Sequence, residues 1–376
     1  MRHRSVLVAL LVALAALVGA GATYADDGGG HGHGKNLVFV QTNQPDGNQI
    51  VVYNRGRDGQ LTPAGTYATG GNGGTAAPGT ESDRLASQGS LAYDREHKLL
   101  IAVNAGSDTV SAFRVRGDRL RLEDVLPSGG QFPASVTVHD DLAYVLNSGG
   151  SGVVQGFRVD RHGLEPIAGS GRSLGLANTD PPNFLTAPGQ VGFTPDGGRL
   201  IVTTKASGST IDVFQVRGDG TLSTAPVVNP SATPVPFAFT FGPSGRLVSG
   251  EAGASSVTTY RIGSDGTLAD PKSQSDGQVA LCWILRVRGY YYVLNTGSNT
   301  LSSFRVGSDG QPALLNGVAA TTNAGPIDLA SSDDFLYAET GLTSTVDEFF
   351  VRDDGTLVRI GTVTGLPPRI EGIAAT

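Results

Sequence analysis

Tyr292-Val-Leu-Asn-Thr-Gly-Ser-Asn-Thr-Leu-Ser-Ser-Phe-Arg-Val-Gly-Ser-Asp-Gly310 contains one full unit of the pattern that decides the fold. An apolar run ends at Asn295 and a short polar turn follows. A second run carries Leu301 and, three positions later, Phe304, before Asp309-Gly310 turns the chain again. The same phrase, an aliphatic residue with an aromatic three positions on, recurs at Ile50/Tyr53, Val110/Phe113, Val154/Phe157, Ile211/Phe214, Val257/Tyr260 and Val346/Phe349. Successive starts are 60, 44, 57, 46, 44 and 45 residues apart. A period near 45, too long for one hairpin and present seven times, predicts an all-β, seven-bladed β-propeller with four-stranded antiparallel blades.

Each repeat reads as two strand pairs. In one copy Gln88–Tyr93 and Lys98–Val103 flank a turn, and Thr109–Val115 and Leu120–Val125 are joined through Gly117-Asp118. Asp-Gly turns recur at Asp58-Gly59, Asp219-Gly220, Asp265-Gly266, Asp309-Gly310 and Asp354-Gly355, where Gly accepts the positive φ of a tight hairpin. Calcium loops need more oxygen ligands than such turns offer. The last segment, Ile370–Ala375, reads as a first strand with nothing after it, and Asn36–Gln41 as a second strand with nothing before it. Pairing them closes the ring in one blade and removes two sheet edges.

The chain has 376 residues, a net charge of -7, 54 Gly and 20 Pro, the Gly and Pro falling mainly between apolar runs. Only 4 of the 27 basic residues are Lys and the Arg are scattered, which argues against a nucleic-acid partner. Arg2 and Arg4, the apolar stretch Val6–Val18 and Thr23-Tyr24-Ala25 read as a signal peptide, 1–25, cleaved after Ala25. An uncleaved anchor is the alternative, but the apolar stretch is short for a span. The reading is therefore a secreted or extracytoplasmic protein without a stable membrane span, and a monomer. Residues 26–34, DDGGGHGHG, read as a flexible linker, and 35–376 as one propeller domain. His31 and His33 on a Gly-rich tail make a poor metal site, so no metal and no cofactor is expected. Cys282 is the sole cysteine, which excludes an intrachain disulfide, and in the apolar run Val279–Ile284 it reads as a small core residue.

Tyr144-Val-Leu-Asn147 and Tyr292-Val-Leu-Asn295 are similar to the YVTN-type repeat, and the V-x-x-F-x-V-x-x-D-G-x-L phrase around them resembles the lactonase family of seven-bladed propellers. That family includes 6-phosphogluconolactonases and fungal carboxymuconate cyclases. The resemblance spans nearly the whole mature chain and implies hydrolysis or cyclisation of a small lactone or sugar acid. One departure stands out. Where the phosphogluconolactonase branch carries a Pro-His pair, this chain has Pro133-Ala134.

In a four-stranded blade, the connections into the first strand and from second to third strand open on one face. Positions six before each repeat start give Asn104, Lys205, Glu251, Asn295 and Thr340 there, with Asn147 and Asn43 seven before theirs and Glu339 adjoining Thr340. They are expected to line a central funnel. Two long insertions, Gly70–Gln88 and Gly169–Gln190, fall on the same face and mark it as the site face. Asp83, Arg84 and Gln88 end the first insertion, and Gln190, Asp328 and Glu371 stand at comparable approaches. Glu251, Glu371 and Arg84 are the catalytic candidates: a carboxylate as general base, with Arg84 or Lys205 polarising a carbonyl. Gln88, Lys205, Asn295, Glu339, Asn104 and Asn147 are the substrate-binding candidates. The plain reading of each Asn is that it satisfies turn backbone, and of each charge that it pairs with a neighbour. His97, His139 and His162 fall near turns of the opposite face. Two functions fit: an exported lactonase-like enzyme, or a non-catalytic propeller holding a small polar ligand or a protein loop.

Overall fold

The structure, a computed structural model, describes residues 36–77 and 81–376. The signal-peptide and linker readings fall outside the described residues. Among those described, no helix is long and apolar enough to cross a membrane.

Seven antiparallel sheets of four strands follow one another along the chain, one carrying an extra short strand. Blade 1 joins Leu37–Gln41, Gln49–Arg55 and Leu61–Ala68 to the C-terminal Ile373–Ala375. Blades 2 to 7 begin at Leu91, Pro133, Gln190, Pro236, Leu281 and Pro326. The closure takes the expected form: Val38, Phe39 and Val40 pair with Ala375, Ala374 and Ile373. Its strand is shorter than the sequence suggests: Gly372 takes a φ of 116°, and beyond it Gln41 alone continues the pairing, to the Gly372 carbonyl and from the Glu371 N–H.

Strand order explains the two hydrophobic textures of the sequence. Second strands are walled on both faces, so Leu99–Asn104 and Tyr290–Asn295 are buried at every position. Outer strands such as Arg119–Pro127 face water, with Leu120 the one buried residue of that strand. Core clusters form between blades rather than within them: Phe39 of blade 1 packs with Leu100 and Phe113 of blade 2. Burying a side chain of that size contributes roughly 1.5–3 kcal/mol, so each blade is stabilised mainly by its neighbours.

The repeated tyrosine and the Asp-Gly turn belong to one device. The Tyr144 hydroxyl of blade 3 donates to the Gly220 carbonyl of blade 4 at 2.6 Å. Tyr292 of blade 6 reaches Gly355 of blade 7 at 2.8 Å, and Tyr337 of blade 7 reaches Gly59 of blade 1 at 2.8 Å. Each turn glycine has φ near 84°, and its aspartate caps the loop: Asp219 Oδ1 accepts the Thr221 N–H at 2.9 Å. The turn of one blade is thereby latched to the second strand of the blade before it.

Candidate functional site

The first insertion dives into the centre of the ring. Asp83, Leu85, Ala86, Ser87 and Gln88 are all buried. Asp83 Oδ1 accepts the Ala86 N–H at 2.7 Å, and Ala86 takes a left-handed φ of 59°, so the segment makes a tight local bend. Blades around the ring then hold it. Ser87 Oγ donates to the Ala134 carbonyl and Ser135 Oγ to the Gln88 carbonyl, both at 2.7 Å. The Gln88 N–H donates to the Gly189 carbonyl at 2.9 Å. Trp283 Nε1 donates to the Ser87 carbonyl at 3.0 Å. The Gln88 amide pairs both ways with the Ile284 backbone, each bond 3.1 Å. This corrects two expectations. The channel is plugged by Asp83–Gln88 rather than being an open funnel lined by strand ends, and the first strand of blade 2 starts at Leu91 because Gln88 is committed across the ring.

A charged cluster surrounds the plug. Glu371 accepts the backbone N–H groups of Arg84 and Leu85, the latter at 2.8 Å. Its carboxyl also meets that of Asp83 in a side-chain hydrogen bond, which requires one shared proton. Burial, then the Asp83 charge, hold Glu371 well above the usual carboxylate range. Burial also raises Asp83, opposed by Glu371 and Lys205. Glu339 accepts the Gly372 N–H at 2.9 Å through Oε2, while its Oε1 is buried without a partner. Burial raises it too, and pushes Asp328 up to about 7.

Lys205 is the buried cation of this region. It is 1% exposed, and burial pushes its ammonium down to about 8, against the pull of Asp83. Its Nζ donates to the Ala86 carbonyl at 2.6 Å and the Phe184 carbonyl at 2.7 Å, tying the first insertion to the second. An ammonium has three N–H groups, so one remains. The insertions also meet where Ala77 donates to the Pro182 carbonyl at 2.6 Å.

Beside Lys205 lies a cavity of about 410 Å³. Phe184, Phe237 and Trp283 form aromatic walls, with Leu185 and Val235 between them, and Asp83 and Lys205 are its charged groups. Cys282 touches the cavity, but burial pushes its thiol up, against a nucleophilic role.

The remaining sequence candidates separate sharply. Glu371, Lys205, Glu339 and Gln88 meet at the plug. Glu251 does not: its carboxylate accepts Ser231 Oγ at 2.7 Å, Thr258 Oγ1 at 2.7 Å, Tyr260 Oη at 2.5 Å and the Thr233 backbone at 3.1 Å, all in blade 5 or the segment leading into it. Asn104, Asn147 and Asn295 staple turns. Asn104 and Asn295 make one motif, each donating to a Thr hydroxyl five residues on and a Ser hydroxyl seven on. Asn147 donates to the Ser128 and Val153 carbonyls. Arg84 enters through its backbone, and its guanidinium is not among the cavity walls. The sequence reading passed over the aromatic walls. Trp283, the one tryptophan of the chain, looked like ordinary core inside Val279–Ile284, and Phe184 lay inside an insertion without periodicity. His97, by contrast, sits in the opposite-face turn as expected, bound to Asp94 at 2.7 Å.

No protein-family profile and no curated protein matches the chain. Solved structures do. The fold is similar to a Lactobacillus plantarum protein at 18% identity and TM-score 0.72, covering 92% of this chain and 100% of that one. It is similar to a candidate 6-phosphogluconolactonase from Bacteroides fragilis at 16% identity and TM-score 0.69, covering 91% and 98%. The periplasmic gluconolactonase of Pseudomonas aeruginosa is similar at 16% identity and TM-score 0.69, covering 90% and 98%. At such identities the likeness is one of fold: this chain is a seven-bladed propeller built like those proteins.

Proposed function

We propose that this chain is an exported lactonase-like propeller that hydrolyses a small lactone in the cavity beside the plug. The observation that carries the reading is that Asp83, joined to Glu371, and a buried Lys205 both stand on the wall of one ligand-sized cavity. Perturbed acid and base groups meeting in a concave site are what hydrolytic chemistry needs. Asp83 takes a proton from water, and the hydroxide adds to the lactone carbonyl. The remaining N–H of Lys205 stabilises the oxyanion. The ring C–O bond then breaks, and the alkoxide takes the proton through the Asp83–Glu371 pair, leaving a hydroxy acid. Gln88 holds the plug in place, Glu339 holds the Gly372 turn beside Glu371, and Glu251 and the three Asn candidates stay structural. The signal-peptide reading places the protein outside the cytoplasm, with Asp26 as its first residue.

One observation favours the second reading, a non-catalytic binding propeller: Lys205 and Glu371 spend most of their hydrogen bonds on the backbone of the plug and of the second insertion. Turnover decides between them. Exported protein, checked by N-terminal sequencing, is assayed on a panel of five- and six-membered lactones. Asp83→Asn is expected to lower kcat by at least a hundredfold with KM little changed. Absence of turnover on every lactone leaves the binding reading.

A further inference from the structure

We infer that the ligand of this cavity is an uncharged lactone with a hydrocarbon body, acyl or aryl, rather than a sugar acid or a phosphorylated sugar. The inference rests on the cavity as the ligand site of the reading above, but not on turnover.

Three observations carry it. The walls are apolar: Phe184, Phe237, Trp283, Val235 and Leu185 face the space, and the indole N–H of Trp283 is already spent on the Ser87 carbonyl. A polyhydroxylated ring would lose its water to walls that return few hydrogen bonds, at a cost of about 1–3 kcal/mol for each hydroxyl left unpaired. Asp83 and Lys205 are its two charged groups, and of the two hydroxyl side chains on its wall, Ser82 and Thr296, the Thr296 hydroxyl already donates to the Pro326 carbonyl, a set that suits one ester group better than a ring of hydroxyls.

The second observation is charge. A phosphate needs clustered positive charge, whereas the cavity offers one ammonium already bound to two carbonyls and set near the Asp83 carboxylate. Bringing a dianion there adds an unpaired buried charge beside an acid pair, which is costly. The third is the rim. Leu185 is 59% exposed at the mouth, on the insertion that Lys205 anchors, and an apolar residue so placed extends the wall outward along a protruding chain. A volume of about 410 Å³ falls within the usual range for small-molecule sites.

Trp283 supplies a readout independent of catalysis, being both the single tryptophan and a cavity wall. Purified protein is titrated with γ-decalactone, D-glucono-δ-lactone and the 6-phosphate of the latter, following tryptophan emission. The expected result is a saturable change with γ-decalactone and binding at least tenfold weaker for both sugar lactones. Ala252→Leu, which fills the cavity from a half-buried wall position, is expected to weaken γ-decalactone tenfold without lowering Tm. Leu185→Ser, at an exposed position, is expected to weaken it about threefold. Equal or tighter binding of a sugar lactone overturns the inference, as does γ-decalactone affinity indifferent to both variants. Saturable γ-decalactone binding without turnover supports the ligand class and removes the catalytic reading instead.

Discussion

Asp328 shows how burial, not pairing, governs the acids at the hub. It accepts the Leu329 N–H at 2.8 Å and the Gly89 N–H at 3.4 Å, yet burial holds it at about 7 against 3.8 for an exposed aspartate. A carboxyl raised in the folded state favours folding when protonated. Its contribution is therefore full below pH 3.8 and is lost as pH rises through 7. The span corresponds to a loss on the order of 4 kcal/mol. Lys205 acts in the opposite sense, but its loss occurs as pH falls from 10.5 through 8 and is nearly complete at neutrality. Stability is thus expected to rise from pH 8 to pH 5, with Glu339 and Glu371, both raised by burial, adding to the slope. Urea midpoints at pH 8 and pH 5 check this, and Asp328→Asn is expected to flatten the difference by about half. A midpoint that falls on acidification, or an unchanged slope in the variant, contradicts it. Sequence position identified Asp328 and Glu371 as approaches to the inner strands, but their depth was not legible. Burial there depends on the plug, which comes from a remote insertion.

At the scale of elements, the turns were legible and their latches were not. Asp219-Gly220 signals a hairpin by itself, because only glycine readily adopts the φ of 84° found there. That Tyr144 closes onto that turn from 76 residues away, in another blade, leaves no local trace. The repeated tyrosine was legible as a family-like letter without a reason. Its reason is the inter-blade bond. Tyr144→Phe leaves the buried Gly220 carbonyl without that donor and is expected to cost about 1–2 kcal/mol in urea unfolding. Tyr292→Phe and Tyr337→Phe should cost similar amounts, and Tyr67→Phe, half-buried on an outer strand, much less. Equal costs at all four positions would show that the hydroxyl bonds contribute nothing beyond packing. Glu251 was misplaced for the opposite reason, since its partners lie only 7 to 20 residues away. Its position at a strand end resembles that of Glu339, yet two hydroxyl groups of blade 5 and two of the segment leading into it enclose it.

At the scale of the whole molecule, the seven-fold repeat and terminal closure were readable because each rests on period and strand pattern, which the sequence carries in full. The two irregular intervals, 60 and 57 residues, marked two insertions that the structure brings into contact. What they did not disclose is that the first insertion descends into the ring while the second rests against it, with Lys205 joining them. The proposed site is the cavity between plug, second insertion and blades 5 and 6. A crystal structure of the protein soaked with γ-decalactone tests this most directly. The expected result is a ligand between Phe184 and Trp283, its ester group facing Asp83 and Lys205. A ligand bound at the opposite face, or on the ring axis away from Asp83, would contradict the account.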